Sequence, residues 1–502
     1  MLRHLFKNIA VSAVGFFAVS IVGLVLVPTL IGAFGVDGFG IISLARLFTP
    51  TAILGIFDLG FGETATQTIA KARNDSNWIR AFRLLRMTLF LAGFVGIFVG
   101  FSVCALSHWL PKWLGVKLSE QDGLQNVLRA TALLLPIQFI SLVFEGVLKG
   151  FELFGALRTL EIVVAILYAV LVLSIVQSGG TVYIVCYALL GTLMLRSIAS
   201  GMLAVWVLRP NWGFTSGIKS EELTWFLQIT QGMAANKALG VSQTQIAPLC
   251  IGLLFGPSGA GGYDALSRLP RAVKGILGLL SSTVLPLAAR LENSTDTLGM
   301  RRLGQAGVIV IGIIALPPVV CGIVFSEPLL FLWLGPELAR MWGWQAAMFT
   351  IPGLTVLISF GGTALLVRPS VISQMNRWVG LQIAIQFLLA AVALPWLSER
   401  AFILGQVLAV AITFAPQLRI VCIELNISIL VLKRLLKVVL AQIVLGGLAI
   451  WFSEDFHSWS KLILAMVIWT VIGWALGLRL GLVPQQKKRL ISLLRNKVTS
   501  LF

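Results

Sequence analysis

The sequence predicts an all-α polytopic membrane protein with about fourteen transmembrane helices, and three observations lead there. Of its 502 residues, 58% are hydrophobic and only 12% charged, against about one-quarter charged in a soluble domain, and the mean hydropathy is +0.95. The apolar content falls into runs near the ~20 residues that an α-helix needs to cross a bilayer. The Lys and Arg residues fall mainly in alternate connections between those runs, as they do when cytoplasmic loops retain the basic residues. The 38 basic against 20 acidic residues give a net charge of +18, which in a soluble protein would suggest nucleic acid. Here cytoplasmic loops account for it, and no nucleic-acid partner is implied.

The elements follow in order. The basic start (Arg3, Lys7) resembles the opening of a signal peptide, but the apolar run from Val11 to Phe34 is too long for one and lacks a small-residue cleavage site. It reads as the first span. Apolar length and breaker residues then place spans at roughly 11–34, 40–62, 84–107, 126–148, 158–178, 181–208, 222–255, 261–288, 304–331, 346–367, 376–397, 401–424, 434–453 and 461–483. The N-terminus, the even-numbered connections and the C-terminal tail carry 24 Lys and Arg against five in the odd-numbered connections, which puts both termini in the cytoplasm. Trp109, Trp113, Trp333, Trp342 and Trp344 flank the outer ends, where aromatic belts form. The tail from Gln485 to Phe502 sets Leu490, Leu494, Val498 and Leu501 against five cations, which suits either an interfacial helix on an anionic lipid bilayer or a solvated tail.

A weak repeat at an offset of about 221 residues joins the first hairpin to that of the seventh and eighth spans. Pro28, Ile31, Gly32, Phe34, Gly35, Gly38, Phe39, Arg46 and Leu47 match Pro248, Ile251, Gly252, Phe255, Gly256, Gly262, Tyr263, Arg268 and Leu269, with small shifts. The offset spans six helices, an even number, so both copies share one orientation and an axis along the membrane normal relates them. The predicted organisation is two pseudo-symmetric six-helix lobes, 1–210 and 211–425, with a cavity between them, followed by an appended helix pair and basic cytoplasmic tail over 426–502.

Charge at bilayer depth is costly, about 3 kcal/mol per residue on insertion scales. Arg129, Arg419 and Arg479 lie near span ends and can snorkel. Arg46, Arg196, Lys237, Arg268, Arg271 and Lys274 remain, against one comparably deep acid, Asp264. Arg268, Arg271 and Lys274 recur every three residues and form a cationic ladder covering an arc of about 120° on one helix. Arg268 can pair with Asp264 at i, i+4; Arg271 and Lys274 have no such partner in sequence, so the ladder points to an anionic substrate. Arg46, the repeat counterpart of Arg268, would offer an equivalent guanidinium for bidentate phosphate contact. Arg196 and Lys237 either join that substrate-binding set or tie helices together. Glu145 has Lys149 four residues on, and Glu161 has Arg158 three before, so both acids are expected in local pairs. Asp58, in Asp58-Leu59-Gly60-Phe61-Gly62, is placed to accept hydrogen bonds from a Gly-rich turn and act as a hinge or gate lock, and Asp264 is the second gating or coupling candidate.

No enzyme signature competes. His4, His108 and His457 lie in loops or termini, and the sequence holds no HExxH, GxSxG, P-loop or paired catalytic carboxylates. The five cysteines share no pairing or metal-ligand spacing. No catalytic residue, metal or cofactor is predicted.

The runs Pro28-Thr29-Leu30-Ile31-Gly32-Ala33-Phe34-Gly35, Asp58-Leu59-Gly60-Phe61-Gly62 and Ile251-Gly252-Leu253-Leu254-Phe255-Gly256 with Tyr263, and Leu285-Pro286 before Ala289-Arg290, carry a resemblance. The chain resembles the polysaccharide-transporter branch of the multidrug/oligosaccharidyl-lipid/polysaccharide (MOP) exporter superfamily, and within it bacterial O-antigen flippases of the Wzx type. The resemblance implies two six-helix lobes and alternating access. It implies outward transfer of an undecaprenyl-diphosphate-linked oligosaccharide across the inner membrane in lipopolysaccharide biosynthesis, with O-antigen polymerase machinery as a partner. Lipid II flippases are similar and place arginines on helices 1, 2 and 8; here the second and eighth spans match, whereas the first carries neither Arg nor Lys. A lipid II or other lipid-linked sugar flippase is the alternative, followed by a multidrug or cation antiporter, which would need an acidic site.

Overall fold

The computed structural model describes residues 2–209, 220–282, 288, 291–292, 296–365, 368–450, 456 and 458–483. The amphipathic tail and the Leu285-Pro286 and Ala289-Arg290 pairs lie outside the described residues. Within them the regular structure is helical throughout. The helices are α1 (Leu2–Leu47), α2 (Phe61–Asp75), α3 (Trp78–Leu106), α4 (Leu110–Trp113), α5 (Leu118–Gly150), α6 (Phe154–Gln177), α7 (Val182–Leu208) and α8 (Ser220–Ser282). They continue with α9 (Thr297–Val324), α10 (Ser326–Leu334), α11 (Pro336–Ala339), α12 (Trp342–Leu365), α13 (Pro369–Leu397), α14 (Arg400–Glu424), α15 (Ile429–Ile450) and α16 (Trp459–Gly481).

Eleven of these are long and apolar enough to cross a membrane. Two of the eleven, α1 and α8, each hold two spans joined at a glycine, and α15 has the length of a span but carries Lys433, Arg434 and Lys437. Counted so, the described helices are consistent with the fourteen spans read from the sequence. The second departs from its expected form. Instead of one helix over 40–62, α1 ends at Leu47, a 3-10 turn covers Ile53–Phe57, and α2 runs on to Asp75. Pro50 and Gly60 interrupt the helix, and Gly60 adopts a left-handed conformation (φ 80°) that side-chain-bearing residues rarely take.

The chain forms two compact units, Met1–Ala265 and Leu266–Phe502. In the first, α5 packs against α2, α3 and α7, and α1 against α6. Phe39, Phe61, Phe139, Leu128 and Leu135 are fully buried, and Phe61 meets Phe139 edge to face at 6.4 Å. Connections of like parity meet at the same ends. Arg73, in the last turn of α2, donates to the carbonyl of Gly150, the last residue of α5, at 3.1 Å and lies over the Phe151 ring. On the odd-numbered side Lys117 reaches Asp37 at 3.2 Å, and the Tyr183 hydroxyl donates to the Glu120 carbonyl at 2.8 Å.

In the second unit α13 packs on α14, and α9 on α12, α15 and α16. Leu435 and Val438 of α15 enter its main core, Gln442 donates to the Gly473 carbonyl at 2.8 Å, and the Trp474 indole to the Ile314 carbonyl at 3.2 Å. Three even-numbered connections converge on Arg368, which holds Glu292 through Nε (2.8 Å) and Nη2 (2.9 Å) and Glu424 through Nη1 (3.0 Å). Trp109, Trp113 and Trp342 are exposed as a belt requires, whereas Trp333 is buried.

Candidate functional site

Two helical hairpins that share a local geometry frame the site. Gly35 divides α1 with φ 69°, ψ 180°, and Gly256 divides α8 with φ 69°, ψ −165°. A left-handed φ with extended ψ is accessible essentially to glycine alone, which fixes this residue type at both kinks. After each kink the two segments meet inside the first unit. A Cβ at Gly40 would collide with the Pro257 carbonyl oxygen, and one at Gly261 would fall 2.5 Å from the Val36 carbonyl oxygen. Each glycine is 221 residues from the other, and so are the two residues they face, so the contact is reciprocal. Ser43 Oγ then donates to Asp264 Oδ2 at 3.0 Å, again at an interval of 221. The repeat therefore runs through this segment without a shift. It pairs Gly38 with Gly259 rather than Gly262, and places Ser267 at the position equivalent to Arg46, with Arg268 one residue later.

The break in the second span is organised by Asp58. Its side chain is almost fully buried, Oδ1 accepts from the backbone N–H of Phe61 (3.0 Å) and Gly60 (3.1 Å), and Oδ2 receives Lys237 Nζ at 2.9 Å. Lys237, on the first half of α8, also donates to Glu63 at 2.9 Å. The carboxylate thus supplies acceptors to the N-terminal amides of α2, where negative charge is favoured. Irregular backbone at membrane depth persists where protein satisfies it.

Of the predicted cations, Arg196 and Lys237 are each held by two carboxylates, and Lys237 shares the kinked helices with Arg46, Arg268, Arg271 and Lys274. Arg196 contacts Glu145 at 2.8 Å and Glu161 at 3.1 Å, and Glu161 also takes Arg158 at 2.5 Å. This half-buried quartet joins α5, α6 and α7. The Glu161–Arg158 pair forms as the sequence predicts, while the partner of Glu145 is Arg196 rather than Lys149. Arg46 lies exposed in the last turn before the break, its carbonyl accepting from Thr49 Oγ1 at 2.9 Å. In the second unit Arg268 and Lys274 are half-buried and Arg271 exposed, with Arg271 Nη2 bonded to Ser267 Oγ. Glu63 and Ser43, absent from the sequence-based set, complete these contacts. A gapless comparison at offset 221 would have found Ser43, because both hairpins read Phe-Gly-x-x-Gly-x-Gly from Phe34 and Phe255.

Comparison with known proteins gives the family of this kinked, internally repeated helical membrane protein. The sequence profile of the polysaccharide biosynthesis protein family matches residues 5–292. The chain belongs to that family. A Shigella flexneri protein provisionally named an O-antigen transporter is 22% identical over 358 residues, 70% of this chain and 81% of that one. Among solved structures, the lipid II flippase MurJ in an inward closed conformation superposes with a TM-score of 0.69 at 12% identity, covering 93% of this chain and 98% of that one. An inward-facing multidrug resistance MATE transporter of the MOP superfamily gives 0.62 at 14% identity, covering 84% and 94%. The fold is that of the MOP superfamily.

Proposed function

We propose that this protein is a flippase rather than an enzyme, and that it moves an undecaprenyl-diphosphate-linked oligosaccharide, an O-antigen repeat unit, between the leaflets of the bacterial inner membrane by alternating access. Transfer runs from cytoplasmic to periplasmic side, both termini are cytoplasmic, and the polymerase that extends the exported unit is the implied partner. The observation that carries this reading is the set of cations Arg46, Arg268, Arg271 and Lys274 on kinked apolar helices, inside the segment that the polysaccharide family profile matches. A diphosphate offers each of them a charge-assisted contact, and a guanidinium can take two phosphoryl oxygens at once. The family and the name of the Shigella relative support a polysaccharide cargo.

In this reading Arg46, Arg268, Arg271 and Lys274 bind the diphosphate. Arg196 and Lys237 are each held by two carboxylates, so they reach the anionic cargo only in a state that breaks those pairs. Asp58 acts as the lock of the broken span, and Asp264 joins the two repeat segments. A drug or cation antiporter wants an unengaged acid, and both of these acids are engaged.

Proteoliposomes loaded with undecaprenyl-diphosphate oligosaccharide or with lipid II test the proposal by measuring transfer between leaflets. Each charge-assisted contact contributes about 1.5 to 3 kcal/mol, so Arg46→Ala or Arg271→Ala should slow transfer by roughly ten- to a hundredfold while the protein still inserts, with Arg→Lys recovering part. Normal surface polysaccharide after alanine replacement at all four positions, at equal expression, overturns the cationic site. Transfer of lipid II in preference to the oligosaccharide replaces the cargo.

A further inference from the structure

A groove lies between α5 and α7, on helices other than the kinked α1 and α8. Its floor is apolar, formed by Ile140 and Phe144 of α5 and by Gly201 of α7, with Met202 exposed beside it, and its volume is about 540 Å³. Trp206 and Arg209 line one end; Trp206 is 71% exposed, and the side chain of Arg209, also exposed, has no ion-pair or hydrogen-bond partner among the described residues. We propose that this groove is a site for one anionic phospholipid, with an acyl chain on the apolar floor and the headgroup phosphate at Arg209.

Three physical points commit the occupant. The α7 lining runs from Ser197 to Arg209, about 18 Å at 1.5 Å per residue, which matches one leaflet of a hydrocarbon core about 30 Å thick rather than a span. A groove one leaflet long and about 540 Å³ in volume accommodates a single acyl chain. A polyprenyl tail of 55 carbons would leave most of its length outside. A tryptophan one turn from an arginine is the arrangement that settles at headgroup level, and the arginine selects negative charge there.

Photocrosslinking tests this with the full-length protein in nanodiscs that carry phosphatidylglycerol bearing a diazirine on its acyl chain. The expected result is label on Met202 and Trp206, competed by unlabelled phosphatidylglycerol and not by phosphatidylethanolamine. Arg209→Gln should weaken that competition about fivefold, the worth of one cation near the surface, with Arg209→Lys close to the parent. Gly201→Leu, which fills the floor, should abolish the label. Equal competition by the zwitterionic lipid, or an Arg209→Gln variant that behaves as the parent, overturns the proposal. Displacement of the label by undecaprenyl phosphate at lower concentration than by phosphatidylglycerol also overturns it, by making a polyprenyl chain the occupant. Leaflet transfer of oligosaccharide is not among the readouts, so failure here leaves the flippase reading standing.

Discussion

Ser43 donates a hydrogen bond to Asp264 at 3.0 Å across an interval of 221 residues, the same interval that relates the kink glycines Gly35 and Gly256 and the contact glycines Gly40 and Gly261. The one deep acid of the repeat segment is met by the residue occupying its own position in the other copy.

The close approach at these glycines leaves no room for a methyl group. Gly40→Ala and Gly261→Ala are expected to destabilise the protein by about 1 to 3 kcal/mol, the range of core overpacking, and to lower the unfolding temperature in detergent. Gly191→Ala in α7 has nothing within 4 Å of its new Cβ and should be neutral or stabilising, since alanine favours the helix. An unchanged unfolding temperature for Gly40→Ala would contradict the packing described.

Asp58 couples the broken span to α8. Asp58→Ala removes the acceptor of two amides and one partner of Lys237, with an expected cost of about 2 kcal/mol; this is below the 3 to 5 of a wholly buried pair because Lys237 is one-third exposed. Asp58→Asn keeps an acceptor oxygen for the amides but loses the charge, so it should fall between Asp58→Ala and the parent. Thiol labelling of a cysteine placed at Thr51 should accelerate in the same order.

The Arg368–Glu292 bond gives a pH signature. The hydrogen bonds of the Arg368 guanidinium hold the Glu292 carboxyl below its ordinary range, and burial opposes this. A carboxylate with a depressed folded pKa contributes stability that is complete above its unfolded value, about 4.3, and is lost as pH falls through the folded value. The destabilisation caused by Glu292→Gln should therefore be the same at pH 8 and pH 6 and shrink only in the acid range. A difference that grew with acidity would reverse the sign.

Electrical driving follows from the proposed cargo. A diphosphate carries about two negative charges, and each is worth about 2.3 kcal/mol per 100 mV, so an inside-negative potential favours outward movement of the loaded head. The same field draws an emptied cationic site back inward. A valinomycin-imposed potential without a pH or sodium gradient should accelerate transfer in proteoliposomes. Transfer that ignored the potential, followed a pH gradient and was abolished by Asp264→Asn would establish proton antiport instead.

The spans were legible because a bilayer imposes a length and a polarity on every crossing, and the meeting of Arg73 with Gly150 and of Lys117 with Asp37 shows the alternation of ends. The break after Leu47 was not, because Ile53, Leu54, Ile56 and Phe57 keep the apolar run continuous while Pro50 and Gly60 interrupt the helix inside it. The repeat is legible, but matching Arg46 to Arg268 and Phe39 to Tyr263 slips it by one to three residues. Side-chain likeness led that alignment, whereas the fold keeps glycines, which set backbone approach. The sequence offers Glu145 only its neighbour Lys149, since a partner on another helix, Arg196, has no signature along the chain.

The reciprocal glycine contact has the form that a two-fold dimer makes, in which residue i of one subunit meets j of the other and j meets i. In a true dimer both members of each pair must be the same residue. Fusion of the two copies into one polypeptide lifts that constraint, and the chain uses the freedom: Val36 stands where the other copy has Pro257, and Ser43 where it has Asp264. A symmetric pair would set two carboxylates, or two hydroxyls, against each other. One chain can instead keep a single negative charge and its donor, and can alter either side by a mutation that leaves its mate untouched.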